Sequence, residues 1–148
     1  MAIAPGAEAP RFSGDALDGP HALVFYKSTC SVTRMAGPPL ARLGKAFPSA
    51  VLGVGQDPQS TLDAFAGELE WSFPQVPDLE PYDVSNAYGV VSAPTVVVLD
   101  ADRRVARVVE SWDRDGMNEA AAVLAELLGA DAPQLSTPGD GLPQFKPG

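Results

Sequence analysis

Two short apolar runs constrain this chain more than any other feature. "ALVFY", Ala22 to Tyr26, and "AVLGVGQ", Ala50 to Gln56, each read as buried strands. Between them, Val32, Met35, Leu40, Leu43 and Phe47 recur at roughly helical spacing, so strand, helix and strand form a crossover unit. Pro38 and Pro39 fall inside that pattern and predict a kinked helix rather than two elements. A second helix is expected from Pro58 to about Leu69, capped by Asp57 or a neighbour, with Pro58 in the tolerated first turn. "SFPQVPDLEP" is proline-rich and reads as irregular, and "YDVSNAYGV" as a short helix closed by Gly89. "PTVVVLD", the turn "ADRR" and "VARVVESW" form a hairpin, and Asp115 to Leu128 a helix that stops at Gly129. This order predicts one α/β domain over residues 1–130, with a mixed sheet covered by helices on both faces. Residues 131–148, dense in proline and glycine, are expected to be an extended or disordered tail.

A chain of 148 residues with 45% hydrophobic side chains can build one core. Ten Lys and Arg residues stand against 19 acidic ones, a formal charge of −9, which argues against a nucleic-acid partner. No apolar run approaches the roughly 20 residues of a membrane span, so no membrane partner is expected. "MAIAPGAEAP" lacks a basic region followed by an apolar stretch and does not read as a secretory signal, so the expected location is the cytoplasm. One cysteine, Cys30, rules out an internal disulfide and a multi-thiolate metal site. No metal or cofactor is implied.

Cys30 lies in "FYKSTCSVT", where the first strand gives way to a helix. In such sheets, chemistry gathers beyond the carboxyl ends of the parallel strands. A thiolate at a helix N-terminus gains roughly 0.3–1 kcal/mol from the macrodipole at an exposed site, so further stabilisation needs specific donors. Thr33, one helical turn on, and Ser31 are the candidates, whereas Lys27 reads as an exposed strand-end charge. A lone cysteine is most often a small buried hydrophobe. Here "KST" before it and "SVT" after it indicate a partly exposed turn and favour a functional thiol.

"FYKSTCSVT" followed by "GPP", and later "VSAPTVVVLD", together resemble the thioredoxin superfamily. The closest branch is the redoxins, meaning TlpA-like thiol-disulfide oxidoreductases and peroxiredoxin relatives. The resemblance runs from about Gly6 to Leu128 and includes "GAEAPRFSGDALDG", "GVGQD" and "FPQVPD". It implies a thioredoxin-like fold, with Pro38 as the family's kink proline and Pro94 as its cis-proline lying against the active cysteine. The backbone before that proline, Ala93, would pair with an incoming substrate. Thr29, Ser31 and Trp71 complete the expected substrate-binding set.

The departures from the family pattern shape the functional expectation. The usual Cys-x-x-Cys is Cys30-Ser31-Val32-Thr33 here, so no second thiol can resolve a mixed disulfide within the chain. Thr29 replaces the aromatic residue that commonly precedes the cysteine, and Val24 the buried acid of thioredoxins. A monothiol can still exchange disulfides with a protein or with a small thiol such as glutathione, an external thiol acting as resolver. Cys30 would be the nucleophile and Thr33 would help stabilise its thiolate. A one-cysteine peroxidase is the first alternative, although Lys27 and Leu23 stand where the peroxiredoxin motif has its hydroxyl and proline. A redox-inactive binding module is the second.

Other candidates weigh less. His21 should begin the strand whose far end delivers Cys30, about 20 Å away over six extended residues, so no Cys–His pair forms and His21 reads as a surface turn residue. Gly53-Val54-Gly55 meets Pro58 where a dinucleotide loop needs its third glycine. Asp57, Asp78, Glu68 and Glu70 read as solvated surface, and Trp112 as core or edge packing.

Overall fold

Every residue of the first strand, β1 (His21–Tyr26), is buried, as expected of a continuous apolar run covered on both faces. The computed structural model describes residues 1–148. β1 lies between β2 (Val51–Gly55), which runs parallel to it, and β4 (Thr95–Leu99), which runs antiparallel. With β3 (Gln75–Pro77) and β5 (Val105–Glu110) at the edges, the strand order is β3-β2-β1-β4-β5. The sheet is therefore mixed, and the chain has the thioredoxin-like α/β fold.

The period-two alternation of the strands divides two cores. Ala22, Val24 and Tyr26 of β1, with Val96 and Val98 of β4, face one layer. That layer holds α1 (Ser31–Met35), α2 (Gly37–Ala46), α3 (Gln59–Glu68) and α5 (Arg114–Leu128). Leu23 and Phe25, with Val97 and Leu99, face the other, built from the N-terminal segment, Tyr88 and α4 (Asp83–Ala87).

The first helix differs from the expected kinked rod. It breaks at Ala36 into α1 and α2, because Pro38 and Pro39 supply no N–H to the preceding turn and the ladder resumes only with Leu40 N–H donating to the Ala36 carbonyl. The segment read as irregular contributes β3, paired with β2 at the sheet edge, where Pro77 is tolerated. Gln75 lies across Gly53, where a Cβ would meet its amide oxygen, and Tyr26 donates to that oxygen at 2.7 Å. Pro58, not Asp57, precedes α3, and no side chain caps it.

Two polar residues read as surface are buried. His21 is 2% exposed, and its ring nitrogens face the Gly19 carbonyl and the Asp15 carboxylate, each at 2.8 Å. Arg103, in the β4–β5 turn, donates to the same carboxylate at 2.7 Å, so this cluster ties the N-terminal segment to the sheet. Asp78 is also buried and accepts from the Val84 and Ser85 amides and the Ser85 hydroxyl, fixing the start of α4.

Residues 131–148 lie back along the domain, mostly without regular structure, with a turn in which the Asp140 amide donates to the Thr137 carbonyl. Leu135 is buried, Asn118 holds the Leu135 and Ser136 amides, and β7 (Phe145–Lys146) pairs antiparallel with β6 (Trp112–Asp113). No helix is long and apolar enough to cross a membrane.

Candidate active site

The turn after β1 is set from below by Asp57, whose carboxylate accepts from the Ser28 amide at 2.8 Å. The Cys30 amide then donates to the Lys27 carbonyl, and Cys30 takes an extended conformation just ahead of α1. Its side chain is partly exposed, and Sγ donates to the Ala93 carbonyl at 3.4 Å. The two meet because β1 and β4 are neighbours, with Phe25 opposite Thr95. The Ala93–Pro94 peptide bond is cis, as is Glu80–Pro81. Thr95 Oγ1 donates to the Ser92 carbonyl at 2.8 Å and the Ser111 amide to the Pro94 carbonyl at 2.8 Å, bracketing Ala93 from both sides.

Cys30 and Ala93 line an open cavity of about 280 Å³. Lys27, Gln56, Val90, Val91 and Ser92 form its walls, and Gly148 closes one side. Tyr26 forms part of the floor. Burial, reinforced by the charges of Asp57 and Asp63, pushes its phenol well above the usual range, which keeps it a donor to Gln75.

The expected site residues separate into groups. Cys30, Ala93 and Pro94 come together. Thr29 and Ser31 flank the cysteine and are exposed, but neither lines the cavity. Thr33 is fully buried, and its hydroxyl has no hydrogen-bond partner, so it does not donate to Sγ as expected. Trp71 is not in the groove. It is 6% exposed, stacks on Phe73 and meets Tyr26 and Phe65 edge-on. Its indole N–H donates to the Gly37 carbonyl at 2.9 Å, so this large side chain pins the start of α2 from within the core. The helix behind Cys30 is also shorter than expected, because α1 spans five residues before the break at Ala36.

Gln56, Ser92 and Gly148 escaped the sequence reading. Gln56 was open to detection, since it follows β2 at the carboxyl end of the sheet, beside the end of β1. Nothing in the sequence marks Gly148. No group of three or more His, Cys, Asp or Glu side chains is arranged to hold a metal.

Residues 4–108 match the family model described as the AhpC/TSA family. The chain belongs to the AhpC/TSA family. This places it among the redoxins of the thioredoxin superfamily. Its fold is similar to that of a putative protein disulfide isomerase from Bacteroides thetaiotaomicron, at 18% identity over 86% of this chain and 91% of that one, with a TM-score of 0.72. A secreted disulfide oxidoreductase of Mycobacterium tuberculosis is similar over 78% of this chain and 88% of its own, at 22% identity and a TM-score of 0.63. The thioredoxin domain of a Bacteroides vulgatus thiol-disulfide oxidoreductase covers 85% of this chain and 99% of its own, at 19% identity and a TM-score of 0.68. At these identities the likeness is one of fold. No curated protein matches the chain.

Proposed function

We propose that this redoxin exchanges disulfides through Cys30 as a monothiol, with an external thiol as resolver. The observation that carries this reading is the position of Cys30: a partly exposed thiol, at the carboxyl end of β1, against the carbonyl that precedes a cis-proline. The Cys30 thiolate attacks one sulfur of a substrate disulfide. A Cys30–substrate disulfide forms, the substrate's S–S bond breaks, and its second sulfur leaves as a thiolate. A free thiolate then attacks the substrate sulfur of the mixed disulfide, and Cys30 leaves as the thiolate it began as. Ala93 offers its backbone to the substrate, Val91 supplies a wall of the cavity, and the exposed Thr29 and Ser31 flank the thiol outside it. A small thiol such as glutathione, or a protein thiol, supplies the resolving sulfur. The proposed setting is the cytoplasm, where the glutathione pool provides that thiol.

The test is intact mass after incubation with oxidised glutathione, followed by reduced glutathione. The native protein should gain one glutathionyl group and lose it again, and Cys30→Ser should gain none. A native protein that stays unmodified, yet is labelled once unfolded, would overturn the reading in favour of a binding module. Rapid conversion of Cys30 to a sulfenate by peroxide, without disulfide exchange, would instead favour a peroxidase.

A further inference from the structure

The groove beside Cys30 is already occupied by the chain's own tail. Gly148 lies so close to Ala93 that a Cβ on it would stand 1.8 Å from the Ala93 carbonyl oxygen, so only a residue without a side chain fits there. Its amide donates to Ser111 Oγ at 3.0 Å, and the Ser111 amide in turn donates to the Pro94 carbonyl. The tip of the tail is thus fastened to the loop that carries the cis-proline.

We infer that residues 143–148 are a strap that sets the size of the substrate able to reach Cys30. The base of the strap is firmly held. Arg114, 5% exposed, donates to the Leu142 carbonyl at 2.6 Å, to Gln144 Oε1 at 3.0 Å and to Ser136 Oγ at 3.1 Å. Trp112 Nε1 donates to the Pro143 carbonyl at 2.7 Å. The tip is held differently. From Pro143 to Gly148 every residue is exposed, Phe145 at 55%, and the strap's ladder with β6 is two residue pairs long. A segment with an anchored base, an exposed tip and few apolar contacts opens locally at low cost, without unfolding the domain.

The consequence is selectivity. With the strap down, the cavity of about 280 Å³ admits a small thiol or disulfide to Cys30. A polypeptide that pairs with the Ala93 backbone must take the place of Gly148, so it reacts only with the open form. This selectivity matters if Cys30 exchanges disulfides as proposed, but the strap itself can be tested without that chemistry.

The experiment compares alkylation of Cys30 by N-ethylmaleimide and by a polyethylene-glycol maleimide, at pH 7, in the native protein, Gly148→Val and Ser111→Ala. Gly148→Val drives a side chain into the Ala93 carbonyl, and Ser111→Ala removes the acceptor of the Gly148 amide. In both variants the bulky reagent should react about ten-fold faster than in the native protein, if the native groove is open about a tenth of the time. N-ethylmaleimide rates should stay within about two-fold, since that reagent reaches Cys30 with the strap in place. Near-UV circular dichroism should be unchanged. A bulky-to-small rate ratio that stays constant in both variants would overturn the strap. Failure of glutathione exchange would overturn the proposed function and leave this result standing.

Discussion

The thiol of Cys30 donates to the carbonyl of Ala93 at 3.4 Å, across 63 positions of sequence. The adjacency of β1 and β4 creates this pair, with Phe25 opposite Thr95 just below it. The contact needs only a donor at position 30. Cys30→Ser keeps one and should change unfolding stability by no more than about 0.5–1 kcal/mol. It should still abolish every glutathione or maleimide adduct. Urea unfolding of the two proteins, run beside intact mass, checks both halves. A stability loss several times larger would mark Cys30 as a packing residue.

Thr33, three residues after Cys30, is fully buried and its hydroxyl has no hydrogen-bond partner. A buried hydroxyl without a partner costs about 1–3 kcal/mol. Thr33→Val replaces it with a methyl of similar shape and should stabilise the fold by about 1 kcal/mol. The midpoint of urea unfolding should rise with no change in slope. A lower midpoint would overturn the reading of this hydroxyl as a buried, unpartnered group. Thr33→Cys places a second thiol one helical turn from Cys30. Oxidation should then give an intramolecular disulfide, seen as a loss of two hydrogens in intact mass.

What was legible in the sequence follows from which forces have a periodic signature. β1, β2, β4 and β5 were readable because apolar runs and a hairpin turn leave that mark. β3 was not, since three residues in a proline-rich stretch carry no pattern and the strand is held by pairing with β2. Trp71 looked like a groove residue because its position in sequence says nothing of the direction of its ring. The aromatic cluster with Tyr26, Phe65 and Phe73 decides that. The pairing of Cys30 with Ala93 was expected only through family resemblance. The course of the tail rests on polar anchors at Arg114, Trp112 and Asn118, which no periodicity reveals.

Asp15 predicts how stability should depend on pH. Burial alone would raise its pKa, but hydrogen bonds from His21 and Arg103, with the charge of His21, outweigh it and hold the carboxyl at about 2. Because the folded value lies below the unfolded one, the contribution is present above about pH 4 and is lost as pH falls through about 2. The shift corresponds to about 2 kcal/mol. Urea unfolding between pH 5 and pH 2 should show this loss, and Asp15→Asn should flatten the profile in that window. Asp140 sits low for another reason. The Ser136 hydroxyl and the Leu142 and Thr137 amides donate to it. Its protonation should loosen the tail in the same acid range, so some slope should survive in Asp15→Asn. A variant with an unchanged profile would show that Asp15 is not the titrating group.

Arg114 joins the last helix to the C-terminal segment. It reaches Ser136, Gln144 and Leu142 from one planar head, and its backbone amide donates to the Gln144 carbonyl. Arg114→Lys retains the charge but cannot span these acceptors at once, since an ammonium lacks the guanidinium's fork. Losing hydrogen bonds from a charged group should lower the local stability of the tail by about 1.5–3 kcal/mol. Hydrogen exchange at the Leu135 and Ser136 amides should then accelerate by about ten- to a hundred-fold, with amides of β1 and β4 unaffected. Limited proteolysis should begin beyond Gly129, where the last helix stops in a left-handed conformation. If β1 and the tail accelerate together, the tail belongs to the global folding unit and does not open separately from it.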